Sequence, residues 1–388
     1  MLHILLDTDR KANTERLLQR LCAESGRSIL LVPEQFSHAA ERTLCRTGGN
    51  RISRRAEVLS FFRLANRVFS EFGGAAKTET DQGGKLLMMS LAVENVQSRL
   101  KLYASCAEKP EFLLKLLDTL DEFRCYRVTA QTLREASQRL SGVLAVKTEE
   151  FALLMESYDA VAANLGQNPE TKLNRLLAAL ELSDYAEGKH FWLDGFTDFN
   201  GVEQEIIVQL LASGAEVTIA LLCDALDHPG QQYSAAADTA LRLLRLAGRE
   251  GIKTNVQAFA VEEATPQRFL RERLFTGGSE AYPEEQQYIT FLTAPDAETE
   301  CRVAAGEILR LTEQGLRWRD ITVACPDASY LPLLRSIFAR ANIPAYFAGD
   351  RDMLHQPVVH MLLAALEAAQ TLETEPVLSV LKSGYLPR

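Results

Sequence analysis

The chain has 388 residues, of which 47% are hydrophobic and 24% are charged, and its formal net charge is −10. The length predicts two or three domains, and the composition is that of an ordinary globular protein. No apolar run approaches the roughly 18 residues needed to cross a bilayer, and the N-terminus lacks a signal-peptide pattern. We therefore expect a cytoplasmic protein without membrane contact.

The seven cysteines and six histidines are scattered along the chain, and no C-x-x-C pair occurs. This pattern is typical of reduced thiols in a cytosolic protein, and it speaks against zinc or an iron–sulfur cluster in this chain. We therefore expect no metal site here.

Short apolar runs alternate with helical segments over residues 1–81. The predicted strands are residues 3–6, 29–32 and 57–60, and the predicted helices are residues 13–23, 37–45 and 62–72. Strands that alternate with helices in this way are typical of a doubly wound parallel sheet.

The pattern changes over residues 82–185, because apolar residues recur there at helical spacing and no strand signal interrupts them. We predict an all-helical insertion for this segment. The strand–helix alternation resumes over residues 186–261, so residues 1–81 and 186–261 together would form one α/β domain.

A charged, glycine-containing segment at residues 262–288 is predicted to be a linker. A second α/β unit follows over residues 289–388, with strands expected at residues 289–293, 321–324 and 345–347. Three strands make a poor independent sheet. We therefore expect this unit to be incomplete and the chain to be a fragment of a longer protein.

The turn after the first strand is where a nucleotide-binding protein would carry a phosphate loop, G-x-x-x-x-G-K-[ST]. Residues 7–14 read DTDRKANT, in which only Thr14 fits, Asn13 stands at the lysine position and both glycines are absent. Two aspartates in this turn would repel phosphate, at about 4 kcal/mol for one pair of unit charges 4 Å apart at an effective dielectric of 20. Lys11 offsets only part of this repulsion, so we do not expect ATP or Mg²⁺ to bind.

Asp194 follows a buried apolar run and would lie at the carboxyl end of a strand, where open α/β sheets place their ligands. In nucleotide-driven motors an acid at this position helps to hold Mg²⁺, and a second acid usually follows it. Here Gly195 follows instead. The sequence therefore predicts a degenerate nucleotide site made of Lys11, Asn13, Thr14 and Asp194.

A local concentration of arginine interrupts the negative charge of the chain. From Arg42 to Arg67 there are seven arginines and a single glutamate, Glu57. Local fields rather than net charge govern phosphate binding, so the net charge does not exclude a nucleic-acid partner.

Six motifs occur in a fixed order along the chain. They are residues 30–37 (LLVPEQFS), 57–67 (EVLSFFRLANR), 193–196 (LDGF), 300–308 (ECRVAAGEI), 320–323 (DITV) and 343–346 (IPAY). Taken together, the set resembles the N-terminal half of the AddB (RexB) subunit of bacterial AddAB helicase–nucleases, which act in RecBCD-type repair of double-strand breaks. The resemblance extends over essentially the whole chain.

This resemblance implies an α/β fold with two RecA-like domains of the superfamily 1 helicase type, in which the first domain carries the helical insertion and only the start of the second is present. It implies a heterodimer with an AddA-type helicase–nuclease subunit that carries the active motor. It also implies an iron–sulfur cluster in a C-terminal nuclease domain that this sequence lacks, contact with single-stranded and duplex DNA, and no catalytic residue or cofactor in this chain.

By motif position, the resemblance assigns DNA contacts to Gln35, Ser37, Phe61, Arg63 and Phe196. A Gln or Ser side chain can hydrogen-bond to bases or phosphates, a Phe ring can stack on a base, and an Arg can pair with phosphate. Three of these positions also have a purely structural alternative, since Phe61 and Phe196 could belong to the core and Arg63 could pair with Glu57 or Glu71.

Three functions therefore compete. The first is a non-hydrolysing, helicase-like module that scans DNA within an AddAB-type helicase–exonuclease. The second is an interaction scaffold that docks the motor subunit. The third is an active ATP-dependent DNA helicase.

Overall fold

The computed structural model describes residues 1–74, 80–106, 109–167, 170–259, 265–274, 280–347 and 353–385, without the side chain of residue 355. The chain divides into two compact units, Met1–Gln286 and Gln287–Arg388. Of the predicted linker at residues 262–288, residues 262–264 and 275–279 lie outside the described residues.

The first unit is built on a six-stranded sheet in which every neighbouring pair of strands is parallel. Its strands are β1 (Leu2–Asp7), β2 (Ser28–Leu31), β3 (Ala56–Leu59), β4 (His190–Leu193), β5 (Glu216–Leu222) and β6 (Thr254–Phe259). Their spatial order is β3-β2-β4-β5-β1-β6. Strands from both sides of the predicted insertion therefore share one sheet, and the predicted α/β fold class with a RecA-like parallel sheet is confirmed.

Helices fill the rest of this unit. They are α1 (Arg10–Ala23), α2 (Ser37–Gly48), α3 (Phe61–Phe72), α4 (Gln82–Val96), α5 (Pro110–Cys125), α6 (Ala130–Ser137), α7 (Gly142–Asn164), α8 (Lys172–Glu181), α9 (Gly201–Ala212), α10 (Ser234–Arg249) and α11 (Pro266–Arg273). None of the described helices is both long enough and apolar enough to cross a membrane.

Both faces of the sheet are covered, because successive side chains of a strand point to opposite faces and those of the central strands are apolar. Trp192 of β4 packs in a cluster with Leu17 of α1. Its neighbour Phe191 packs in the opposite cluster with Leu64 of α3 and Ile206 of α9. Because the strands are parallel, the loops that follow them lie together at the carboxyl end of the sheet. This end carries the candidate site.

The helical segment between β3 and β4 has two packing partners. Helices α4 to α7 form a core of their own around Met89, Leu117 and Leu154. Helix α8 instead contributes Leu176 and Leu180 to the core of the sheet. The packing therefore changes between α7 and α8, before residue 185, where we placed the end of the insertion.

The second unit contains the helices α12 (Ala297–Glu313), α13 (Tyr330–Arg340), α14 (Pro357–Thr371) and α15 (Thr374–Lys382). Its core includes Ile308 of α12 and Ile337 of α13. The structure differs from the sequence-based expectation at residues 289–293, 321–324 and 345–347, because no strand forms within the described part of this unit. A strand requires a neighbour that completes its backbone hydrogen bonds, and an apolar run alone does not specify that neighbour.

Candidate nucleotide and nucleic-acid site

The turn between β1 and α1 occupies the place of a phosphate loop. Asp9 is the N-cap of α1, and its carboxylate accepts a hydrogen bond from the Ala12 backbone N–H at 3.0 Å. In phosphate-binding proteins the N–H groups at the start of this helix bind the ligand. Here a side-chain carboxylate already caps the helix, and its negative charge would repel a phosphate in the same position.

Asn13, at the position of the phosphate-loop lysine, is a buried residue of α1. Its side-chain N–H₂ group donates to the backbone carbonyl of Leu5 at 3.2 Å and to that of Leu221 at 3.1 Å. The side chain therefore joins the neighbouring strands β1 and β5 and points away from solvent. Lys11, the basic residue of the predicted degenerate site, is exposed.

Thr14 and Asp194, two residues of the predicted degenerate nucleotide site, lie next to each other. The Thr14 hydroxyl donates to the Asp194 carboxylate, with an Oγ1–Oδ2 distance of 2.9 Å. Burial raises the pKa of Asp194 above its usual range, while the Thr14 hydroxyl, the charge of Arg10 and the Gly195 N–H oppose this shift. In a motor these two positions would hold Mg²⁺, but here the hydroxyl and the carboxylate bond to each other.

Gly195 explains why no second acid follows Asp194. Its φ is +84°, a backbone conformation that residues other than glycine rarely adopt. A Cβ at this position would lie 3.2 Å from an Arg10 guanidinium nitrogen and 3.3 Å from the Pro33 ring. The Arg10 guanidinium is also 5.0 Å from the centre of the Phe36 ring, so this corner is filled by the chain itself.

Asp7 does not repel phosphate as the sequence predicted. Asp7 is fully buried, and its carboxylate is 2.7 Å from an Arg16 guanidinium nitrogen and accepts the Asp9 N–H at 2.8 Å. Arg16 therefore neutralises Asp7, and the repulsion comes from Asp9. The sequence signal that we missed is an arginine on α1 close enough to reach back to the end of β1.

The residues present do not fit a nucleoside triphosphate. The cavity beside Thr14 and Asp194 measures about 180 Å³, whereas ligand pockets are typically about 300–1,000 Å³. Residues 7–14 lack the glycines that would cradle the phosphates, and Asn13 stands at the position of the lysine.

Gln35 and Arg63 lie on the segments that directly follow β2 and β3. Gln35 is exposed in a short 3₁₀ turn, Glu34–Phe36. Arg63 is exposed in the first turn of α3, and its guanidinium is 3.6 Å from the carboxylate of Glu41 on α2. Glu57 and Glu71, the glutamates nearest to Arg63 in the sequence, pair with Arg67 instead.

Ser37 and Phe61 are buried, and Phe196 is partly buried. Ser37 lies at the start of α2, and its hydroxyl has no hydrogen-bond partner among the described residues. Phe61 is only 3% exposed and packs edge-on against Phe196, with ring centres 5.6 Å apart. A base could stack on Phe61 only if the ring left the core. Its neighbour Phe62 is 54% exposed, and the sequence analysis did not single it out.

The arginine-rich segment forms a positively charged surface next to these positions. Six of its seven arginines are exposed, namely Arg42, Arg46, Arg51, Arg54, Arg63 and Arg67. This surface provides the kind of local field that attracts phosphates, although the chain as a whole is acidic.

Comparisons with known proteins agree with this architecture. The family model described as "ADDB, N-terminal" matches residues 11–275. Proteins named as one subunit of an ATP-dependent helicase/deoxyribonuclease are similar over most of the chain. The protein from Caldanaerobacter subterraneus subsp. tengcongensis is 30% identical over 92% of this chain and 32% of its own length. The one from Desulforamulus reducens is 31% identical over 96% and 34%, and the one from Symbiobacterium thermophilum is 32% identical over 92% and 32%.

This chain thus spans about one third of the length of these relatives. The family model covers more than half of its residues, and the family predicted from the ordered motifs is confirmed. With its parallel sheet, its helical insertion and the altered turn after β1, the chain belongs to the ADDB N-terminal family.

Proposed function

We propose that this chain is a helicase-like module that binds and scans single-stranded DNA within an AddAB-type helicase–nuclease, and that it does not hydrolyse ATP. The observation that carries the proposal is the side chain of Asn13, which is buried and hydrogen-bonded to two strands at the position where a motor has its phosphate-binding lysine. Without that lysine and the flanking glycines, a nucleotide has few groups to bind.

The DNA-binding part of the proposal is supported by residues at the carboxyl end of the sheet, in the turn after β2 and at the start of α3. Gln35 and Arg63 are exposed there and can reach bases or phosphates. The arginines between residues 42 and 67 add positive charge nearby. Binding carried by such contacts weakens as salt rises, because bound counterions are released from the DNA.

A partner protein is part of the same proposal. The relatives are named as one subunit of an ATP-dependent helicase/deoxyribonuclease. Since the residues of this chain do not fit ATP, the motor would reside in an AddA-type partner, and the nuclease activity would lie in that partner and in parts of the protein outside this chain. An acidic net charge beside a basic surface suits a chain that binds DNA locally and a protein elsewhere.

The test is fluorescence anisotropy with a labelled single-stranded oligonucleotide at low and moderate salt. We expect salt-sensitive binding that weakens several-fold in Arg63→Ala and in Gln35→Ala. Arg139→Ala is the matched control, because Arg139 is an exposed arginine of the helical insertion. No binding even at low salt, or equal losses in all three variants, would contradict the proposal.

An interaction scaffold is the second candidate function. Helix α14 leaves Leu362, Leu363 and Leu366 exposed, and contiguous exposed apolar residues often mark protein contacts. The scaffold is favoured if the chain co-purifies with an AddA-type subunit, if Leu363→Ser with Leu366→Ser abolishes this association, and if Arg63→Ala changes neither the association nor any DNA binding.

A further inference from the structure

The outer edge of β3 lies in a groove of about 630 Å³. β3 is the last strand of the sheet on its side, and β2 is its only neighbour among the described strands. The groove is lined by all four residues of Ala56–Leu59 and by side chains of α2 and α3. It therefore follows a strand edge rather than the carboxyl ends of the strands, where the candidate site lies.

Backbone groups of β3 face this groove without partners. The Ser28 N–H donates to the Arg55 carbonyl and the Val32 N–H donates to the Leu59 carbonyl, each at 2.9 Å. Since alternate residues of a parallel strand bond to the same neighbour, the N–H and C=O groups of Ala56 and Val58 point to the free side. Neither residue has a backbone hydrogen bond on that side to any described residue.

The two residues that carry these unpaired groups expose little of their own surface. Ala56 is 5% exposed and Val58 is 6% exposed. Backbone groups that are shielded from water without a partner are unfavourable, and native proteins rarely leave them so. An additional strand that pairs with β3 would satisfy them.

Positive charge surrounds the same edge. Six basic and three acidic side chains line the groove: Arg27, Arg54, Arg55, Arg63, Arg67 and Lys189, with Glu41, Glu57 and Glu71. The three glutamates are paired with Arg63 or Arg67. Arg27 and Arg54 are exposed and form no ion pair with the described residues, and the Nη1 atom of Arg55 is buried without a hydrogen-bond partner.

We propose that the β3 edge binds an extended, acidic segment of a partner protein, which adds to the sheet as a further strand. Its backbone would pair with Ala56 and Val58, and its Asp or Glu side chains would reach Arg27 and Arg54. Backbone pairing supplies the affinity in such complexes, and the side chains supply the selectivity. A nucleic-acid strand would satisfy the charges but lacks donors at the spacing of the two free carbonyls. This inference does not depend on the DNA binding proposed above.

The probe is an eight-residue capped peptide of alternating glutamate and valine, added to the full chain and followed by residue-resolved amide hydrogen exchange. We expect exchange at Ala56 and Val58 to slow at least tenfold. The neighbouring amides of Glu57 and Leu59 provide the internal control, because they already bond to β2 and should change little. Unchanged exchange at Ala56 and Val58 with saturating peptide would overturn the proposal.

Charge variants test which class of ligand the groove takes. Binding of a fluorescein-labelled form of the peptide should weaken at least tenfold in Arg54→Glu, and it should stay at the wild-type level in Arg139→Glu. A peptide of alternating lysine and valine should not bind. If an oligothymidylate protects Ala56 and Val58 and the acidic peptide does not, the groove is a nucleic-acid site and the proposal is wrong.

Discussion

Thr14 donates its hydroxyl to the carboxylate of Asp194 over 2.9 Å, although the two residues are 180 positions apart in the chain. This bond lies where a motor would place Mg²⁺ between the same two side chains. Arg10 contributes positive charge to the carboxylate. Asp194 therefore receives a hydrogen bond and a compensating charge from its own chain, and this arrangement can persist without a metal or a nucleotide.

Asn13 has a structural role that a substitution can measure. Asn13→Ala would remove two hydrogen bonds and leave the carbonyls of Leu5 and Leu221 without these donors inside the fold. We expect the free energy of unfolding in urea to fall by about 1–3 kcal/mol. Lys11→Ala, close by on the same helix and exposed, should change it by less than about 0.5 kcal/mol. Equal effects of the two substitutions would contradict this role for Asn13.

The buried carboxylate of Asp194 predicts a pH-dependent effect. Because burial raises the pKa of Asp194, its ionised form destabilises the folded state above that pKa, and the penalty disappears as the pH falls through it. Asp194→Asn should therefore stabilise the protein at pH 8, and the advantage should shrink at pH 4. Urea unfolding at both pH values measures this. An advantage that grows on acidification would show that the pKa is lowered instead.

Phe61 and Phe62 are adjacent in the chain, but the first ring lies in the core and the second at the surface. Phe61 is 3% exposed and Phe62 is 54% exposed. Phe61→Ala should lower the free energy of unfolding by about 3–5 kcal/mol, the usual loss for a buried ring. Phe62→Ala should lower it by less than about 1 kcal/mol, so its effect on DNA binding can be measured in a folded protein. Similar stability of the two variants would mean that the Phe61 ring is not held in the core.

The sheet of the first unit could be predicted from sequence because its central strands are short apolar runs. β2 and β4 are buried along their whole length, and such runs are recognised without knowledge of their neighbours. The three strands expected in the second unit do not form in its described part. Ile321 and Phe347, from two of these segments, pack against the core of α12 and α13, whereas Phe291 and Leu292 of the third are exposed. The sequence does not reveal whether a neighbouring strand is present to bond with them.

The candidate site was predictable where the motif positions carried the information. The motif positions assigned Thr14 and Asp194 to one degenerate nucleotide site, but they could not show that the two residues bond to each other. The ion pair between Asp7 and Arg16 was missed, and the sequence left open whether Phe61 lies in the core or at the surface, because both depend on the direction of a side chain in the folded protein. A pattern of residue types does not specify that direction.

His190, at the start of β4, predicts a loss of stability in mild acid. Its ring stacks on Trp192 with centres 3.9 Å apart, and its Nδ1 is 2.9 Å from the Glu24 carboxylate. The carboxylate favours a charged ring, but burial outweighs it and lowers the pKa of His190 to about 3. Between this value and the ordinary 6.5, the unfolded chain binds a proton that the folded chain does not, so stability falls as the pH falls.

We expect this group to contribute a loss of about 2 kcal/mol between pH 7 and pH 5. Unfolding in urea at several pH values measures it. The loss should be absent from His190→Gln and present in His228→Gln, since His228 is exposed. If the wild-type protein gains stability over this range relative to His190→Gln, the ion pair with Glu24 outweighs burial.

The most direct test of the central claim is the affinity for a labelled single-stranded oligonucleotide, measured by anisotropy at the same Mg²⁺ concentration and ionic strength with and without excess ATP. We predict binding with the same Kd in both conditions, because Asn13, Thr14 and Asp194 hydrogen-bond within the chain where a motor would bind phosphate and Mg²⁺. A Kd that changes more than about threefold with Mg²⁺-ATP, a difference of roughly 0.65 kcal/mol, would contradict the claim, and so would the absence of binding in both conditions.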